Sequence, residues 1–334
     1  MSKLFAFCIA ALVVNLSAQQ RIVLIEDFSA STCGPCASFD NSTFDPYLTN
    51  ASNQGKFTCV GYRANWPGSG DPYYTAEAGT RISYYNVGGY GVPDVFIANT
   101  SPNTGSLSSF TATINAEYAK PAKATIAAIH QITGTTPATG KAVVTVTVTP
   151  TQDFTNGYLF MAVCEKLTTK NAASNGETQF HHVMMKMVPN ASGKLISLKA
   201  STPVMVKDSA SLSGTHIEEM NDLEVVVWVQ ISGTKEILQS AWSVATTGIN
   251  NNNKHVAASK TMVSLYNPAQ KSLTISNARG AVITFYDLAG KLIARFASTQ
   301  NSITLSTGTL VHGCCIVRMA KNGEHASQML NIVE

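Results

Sequence analysis

Asp27-Phe28-Ser29-Ala30-Ser31-Thr32-Cys33-Gly34-Pro35-Cys36 is the stretch on which the reading of this chain turns. The apolar run Ile22-Val23-Leu24-Ile25 enters it as a strand, and a helical stretch near Ala37 to Leu48 leaves it. Two cysteines three apart at a helix start can close one tight disulfide, and the free N–H groups and dipole of that helix end favour a thiolate on the first, Cys33. Attack by that thiolate on a substrate disulfide gives a mixed disulfide. Cys36, one turn further on, resolves it by displacing the substrate thiol. Pro35 stiffens the turn where no N–H is needed. The spacing also suits a static disulfide or half of a zinc site, although Gly-Pro is an unusual filling for a mere staple. Zinc would need a second close pair of Cys or His ligands. His181 and His182 are adjacent, point to opposite faces of a strand, and suit packing or surface hydrogen bonds better.

The segment Asp27 to Cys36 resembles the thioredoxin active-site segment, and the similarity extends over about residues 21–118. It implies an α/β thioredoxin-like domain whose buried acid, here Asp27, relays a proton to or from the resolving cysteine. It also implies a cis-proline that faces the disulfide and guides substrate backbone, which falls on Pro93 in Gly91-Val92-Pro93-Asp94-Val95-Phe96-Ile97. Thr32 stands where the family carries an aromatic before the first cysteine, and Ser29 replaces another. These departures bear on partner choice and redox poise, not on the exchange chemistry. Gly88-Gly89-Tyr90-Gly91 lacks the Lys-Ser/Thr ending of a phosphate loop and reads as the turn that positions Pro93.

Working outward, strand and helix signals alternate through Phe57 to Tyr62, Thr75 to Tyr85 and Ser106 to Tyr118, the last ended by Pro121. From Ala122 the pattern changes. Val144-Thr145-Val146-Thr147-Val148-Thr149 puts Val on one face and Thr on the other, as in a half-buried strand. Further strands are expected at Tyr158 to Glu165, His182 to Met187, Leu223 to Ile231 and Glu236 to Trp242, with turns at Asn156-Gly157 and Asn175-Gly176. An antiparallel, immunoglobulin-like β-sandwich accounts for them. Asn250 to Asn253 form a polar linker, and a second all-β sandwich follows it. The expected organisation is a signal peptide (1–18), a thioredoxin-like domain (19–121), a β-sandwich (122–247), an Asn-rich linker (248–258) and a C-terminal sandwich (259–334).

The signal peptide rests on Lys3, the apolar stretch Leu4 to Leu16 and the small-residue site Leu16-Ser17-Ala18. That run is short of the ~20 residues a membrane span requires, and no later segment reaches it. A charged fraction of 13% and a net charge of +3 are too small to imply nucleic-acid binding or a polybasic membrane patch. Six cysteines beyond the signal do not make a disulfide scaffold in so long a chain. Cys59 and Cys164 lie in apolar strand-like runs and read as buried small hydrophobes, whereas Cys314 and Cys315, adjacent in a strand, leave opposite faces.

Tyr158-Leu159-Phe160-Met161-Ala162-Val163, Phe180 to Met187 and Thr234 to Gln239 resemble the outer membrane protein 28 family, which couples a thioredoxin-like region to a β-sandwich on the bacterial outer surface and includes members described as adhesins. Tyr266-Asn267-Pro268-Ala269, Val282 to Leu292 and Gly313-Cys314-Cys315-Ile316-Val317-Arg318 resemble a type IX secretion sorting domain. The combined expectation is an exported thiol–disulfide oxidoreductase using Cys33, Cys36, Asp27 and Pro93. It would need no cofactor or metal, and its partners would be protein thiols or disulfides and the type IX machinery. It would reside at the cell surface, in the outer membrane or outside the cell, with the periplasm as the alternative. The rival expectation is a surface binding protein or adhesin in which the thioredoxin-like region is a scaffold.

Overall fold

The computed structural model describes residues 20–89, 91–101, 105–246, 263–267, 272–276, 278–286, 292–306, 313–321 and 324–332. The expected signal peptide and Asn-rich linker, Tyr90, and the turn at 287–290 lie outside them. The fold is mostly β with few helices, and the chain forms two compact units, Met1–Ala245 and Thr246–Glu334.

In the first unit β1 (Val23–Ser29) is buried along its whole length, the polar Glu26, Asp27 and Ser29 included. Cys33 caps α1 (Gly34–Phe39), with Pro35 in its first turn. The helix expected from 37 to 48 is interrupted by a π-turn, Asp40–Phe44, before α2 (Asp45–Thr49). Pro46 supplies a reason, since it has no N–H and crowds the carbonyl four residues back, so the turn ahead of it widens. Then come β2 (Phe57–Arg63), α3 (Ala76–Tyr85) capped by the Thr75 hydroxyl, β3 (Asp94–Ile97) and α4 (Leu107–Tyr118) capped by Ser106. β2 runs parallel to β1, and β3 runs antiparallel to it at the edge of the sheet. On one face Val23 and Ile25 pack against Phe39, Phe44, Tyr47 and Phe110 of the α1, α2 and α4 side; on the other Leu24 and Phe28 pack toward α3.

The strands that follow are β4 (Ala124–Thr133), β5 (Lys141–Pro150), β6 (Phe154–Thr168), β7 (Phe180–Val188), β8 (Lys194–Leu198), β9 (Val204–Ser211), β10 (Leu223–Ile231), β11 (Ile237–Trp242) and β12 (Val244–Ala245). One sheet has the order β12-β4-β5-β9; the other runs β11-β10-β6-β7-β2-β1-β3, with β8 on β6. Val144, Val146 and Val148 of β5 meet Met161 and Val163 of β6 and Val225 and Val227 of β10 in the core between them. Asn156-Gly157 is not a turn: both residues lie inside β6, where Asn156 takes φ +56° and the β6–β8 register shifts between Phe154 and Gly157. A local bulge absorbs the turn signal there.

The second sheet crosses the boundary expected at residue 121. β2 and β7 pair in parallel at Gly61 and Val183, so the strands around the cysteine loop and those of the sandwich share one sheet. Gly61 is needed for that approach, because a Cβ there would sit 3.1 Å from the His181 carbonyl oxygen and 3.3 Å from that of His182.

In the second unit β13 (Val263–Asn267), β14 (Ser272–Ser276) and β17 (Ser302–Ser306) form one sheet. The other has the order β16-β15-β18-β19, from β15 (Val282–Tyr286), β16 (Leu292–Ala297), β18 (Gly313–Lys321) and β19 (Glu324–Ile332). Leu273, Ile275, Ile283, Phe285, Cys315 and Val317 make its core. Cys315 is therefore an inward packing residue.

Candidate functional site

Cys33 and Cys36 are joined by a disulfide at the end of the β1-to-α1 connection. Cys33 Sγ accepts the Cys36 N–H at 3.1 Å, so the first sulfur of the pair already occupies the position from which a backbone donor would steady a thiolate. It also lies 3.4 Å from the carbonyl oxygen of Val92, in the cis Val92-Pro93 dipeptide just ahead of β3. Gly34 and Pro35 are exposed, whereas Cys33 is 3% exposed and Cys36 fully buried. The sequence-expected residues Cys33, Cys36 and Pro93 thus meet at one end of the sheet. The side chain of Asp27 lies on the β1 face that carries Val23 and Ile25.

Asp27 is fully buried, and neither carboxyl oxygen has a hydrogen-bond partner among the described residues. Burial is the main reason that its pKa rises to about 7; Arg63 opposes the rise, and Glu177, Asp45 and Asp94 add to it. The pKa of Asp40, in the π-turn, is pushed well up by burial and by the charge of Asp27, with Glu177 adding to the rise. Ser29 Oγ lies 3.4 Å from Asp40 Oδ2. Arg63, the last residue of β2, is 2% exposed, sits 4.9 Å over the ring of Phe180, and leaves Nε and Nη1 without partners among the described residues. Burial by itself would lower its pKa, yet Asp27, Asp71, Asp40 and Glu177 together raise it. One guanidinium does not offset the burial of Asp27 and Asp40, so both are held toward their protonated forms.

Glu177 comes from the connection between β6 and β7, and that connection is tied to the cysteine loop. Ser174 N–H and Asn175 N–H donate to the Ser31 carbonyl at 3.1 and 3.0 Å. Asn175 Nδ2 donates to the carbonyls of Ala30 at 3.3 Å and Cys33 at 3.2 Å, and also to the Glu177 carboxylate. On the other flank Asp71 Oδ2 accepts the Ser31 N–H at 2.7 Å. Sequence reasoning missed Asp40, Arg63, Asp71, Asn175 and Glu177. Arg63 carried a signal, as a charge closing an otherwise apolar strand. Asn175 and Glu177 carried none beyond a turn at Asn175-Gly176.

Beside this site is a buried ion pair. Glu26 Oε1 meets Arg81 Nη2 at 2.6 Å, both side chains 1% exposed. The hydroxyls of Tyr62 and Tyr85 donate to Glu26 at 3.1 and 2.5 Å, and Gln230 Oε1 accepts from Arg81 at 3.2 Å. A cavity of about 280 Å³ opens next to it, lined by Thr80, Tyr84, Tyr158 and Phe160. Elsewhere Cys59 and Cys164 are fully buried, and burial pushes both thiols well up. His181 lies 3.9 Å from Asp45, and His182 pairs with Glu224.

Residues 264–333 match the family model for the secretion system C-terminal sorting domain. The C-terminal segment is a type IX sorting domain. It marks the chain for export by that route, to the cell surface or outer membrane or into the extracellular space, and implies interaction with the type IX machinery. No helix among the described residues is long and apolar enough to cross a membrane. Comparison with curated proteins returns no match. Among solved structures the chain is similar to HBP35 of Porphyromonas gingivalis, at TM-score 0.55 and 15% identity over 94% of this chain and 98% of that one. That likeness concerns the fold. A biofilm associated protein BSP domain matches at TM-score 0.21, with 8% identity over 72% of this chain and 59% of that one. Scores of that size do not define a shared fold.

Proposed function

We propose that the protein is an exported thiol–disulfide oxidoreductase that exchanges disulfides with protein substrates through Cys33 and Cys36. The observation that carries this reading is the disulfide seated at the start of α1, with Cys33 Sγ accepting a backbone N–H and facing the Val92 carbonyl ahead of Pro93. The order β1, α1, β2, α3, β3, α4 around it supports a thioredoxin-like region, fused to a sandwich as in the outer membrane protein 28 family. In this reading Cys33 attacks and Cys36 resolves. Asp27 exchanges a proton with the resolving thiol, and Pro93 borders the groove for substrate backbone.

Insulin reduction with dithiothreitol tests it. The wild type accelerates turbidity, Cys33→Ser abolishes the acceleration, and Cys36→Ser accumulates mixed disulfides with protein partners because nothing resolves them. Activity untouched by Cys33→Ser would leave the second reading, a surface binding protein. The near burial of Cys33 is the observation that favours that one.

A further inference from the structure

The turn that delivers Cys33 is held by residues far from it in sequence. Cys33 N–H donates to the Ala30 carbonyl at 2.9 Å and closes the turn Ala30-Ser31-Thr32-Cys33. Both backbone groups of Ser31, inside that turn, are taken from elsewhere: its N–H by Asp71 Oδ2 at 2.7 Å, its carbonyl by the Ser174 and Asn175 N–H groups at 3.1 and 3.0 Å. The side-chain amide of Asn175 then spans the two ends of the turn, donating to the Ala30 carbonyl at 3.3 Å and the Cys33 carbonyl at 3.2 Å. Its orientation is fixed, because Oδ1 accepts the Glu177 N–H at 3.0 Å and an N–H can only donate.

The β6–β7 connection that carries Asn175 is anchored at its base as well. Glu218 accepts the Thr169 N–H at 2.9 Å and the Lys170 N–H at 2.7 Å, and the Asn171 N–H donates to the Tyr73 hydroxyl at 3.0 Å. Tyr73 N–H in turn donates to Asp71 Oδ1 at 2.8 Å, on the carboxylate that holds Ser31. A closed circuit therefore runs from the cysteine loop through Asp71 and Tyr73 to the β6–β7 connection and back through Asn175.

We propose that Asn175 is a positioning residue for thiol–disulfide exchange, which keeps Cys33 aligned with Cys36 once their bond has opened and so favours its reclosure. The inference rests on the exchange proposed above. While the disulfide is closed it restrains the loop by itself; once it opens, the hydrogen bonds of Asn175 to both ends of the turn remain. The step affected is resolution. With glutathione as the probe, the S–S bond between Cys33 and glutathione breaks and the Cys33–Cys36 bond forms. The Cys36 sulfur is oxidised, the glutathione sulfur is reduced, and the proton lost by Cys36 leaves on glutathione. An intramolecular step of this kind is favoured by holding the reacting groups in place beforehand. The Asn175 donors point at carbonyls, whereas Cys33 Sγ takes its N–H from Cys36 within α1, so the tie acts on alignment and not on the charge of the sulfur.

The test equilibrates the full chain with glutathione buffers and counts closed, mixed and open forms of the pair by mass spectrometry after an acid quench. Asn175→Ala should lower the equilibrium constant for closing the pair by about threefold to tenfold, and a tenfold loss moves the midpoint by about 30 mV toward oxidising values. The mixed disulfide of Cys33 with glutathione should accumulate by the same factor. Asn175→Asp keeps an acceptor for the Glu177 N–H but offers the carbonyls no donor, and should shift the midpoint in the same direction. Lys170→Ala, whose side chain pairs with Glu219 on the same connection, should leave it unchanged. A midpoint unmoved in a folded Asn175→Ala protein overturns the inference, as does a shift that Asn175→Asp lacks. The pH profile of Cys33 alkylation should stay the same in Asn175→Ala, and a profile displaced along with the midpoint would assign the effect to the charge of the sulfur and overturn the alignment role. A wild-type pair that no glutathione buffer opens in the folded chain removes the oxidoreductase reading and this inference together, whereas a wild-type pair that titrates while the variants match it removes the inference alone.

Discussion

Glu26 and Asp27 are neighbours on β1, point to opposite faces of one sheet, and each faces a buried arginine, yet the two sites are built to different ends. Around Glu26 the carboxylate's polar demands are met, by Arg81 at 2.6 Å and the hydroxyls of Tyr62 and Tyr85, while the arginine, its Nε without a partner among the described residues, lies against the rings of Tyr84, Tyr85, Phe160 and Trp228. Around Asp27 they are not met. Its oxygens go unpartnered among the described residues, and the facing Arg63 is shared among four acids. A buried carboxylate whose hydrogen bonds are complete fixes structure. A buried acid without partners titrates near neutral pH and can release its proton when its surroundings change.

The largest effect should come from breaking the Glu26–Arg81 pair. Arg81→Met leaves Glu26 buried without its cation, and chemical denaturation should show a loss of about 3–5 kcal/mol. Asp27→Asn should act in the opposite direction. Because folding raises the Asp27 pKa to about 7, the folded state holds a proton that the unfolded chain releases near pH 4. Wild-type stability therefore falls as pH rises from about 4 to about 7 and stays lowered above that. The variant lacks this loss, and at pH 8 it should be more stable than wild type by up to about 4 kcal/mol, with the advantage gone at pH 4. Equal stability of the two at pH 8 would place Asp27 on the same footing as Glu26. Gly61→Ala, at the β2–β7 seam, should cost about 1–3 kcal/mol by pressing on the carbonyls of His181 and His182. Hydrogen exchange should accelerate first at residues around Val183, the only position of β7 paired with β2.

The sequence made one side of this comparison legible. A cysteine pair between a strand and a helix, a proline heading an apolar run, and the Val/Thr alternation of 144–149 all report on local geometry. They located the disulfide, Pro93 and β5. The Asp27 cluster was only partly readable, because its members come from β1, the π-turn, β2 and the β6–β7 connection, which long-range contacts such as the pairing of Gly61 with Val183 and the Asn175 bonds to the cysteine loop bring together. Sequence separation of more than 110 residues between Arg63 and Glu177 leaves no periodic trace. Asn156-Gly157 shows the reverse error, a turn signal absorbed into a long strand whose neighbours on both sides already fix its path.

The account stands most directly on one measurement, a titration of the folded, exported chain against glutathione buffers, with the thiols of Cys33 and Cys36 counted by alkylation and mass spectrometry. It predicts a reversible two-electron transition confined to that pair, with Cys59 and Cys164 unmodified throughout and the midpoint displaced by Asp27→Asn. A pair that stays oxidised until the protein unfolds would contradict it and reduce the Cys33–Cys36 bond to a structural link.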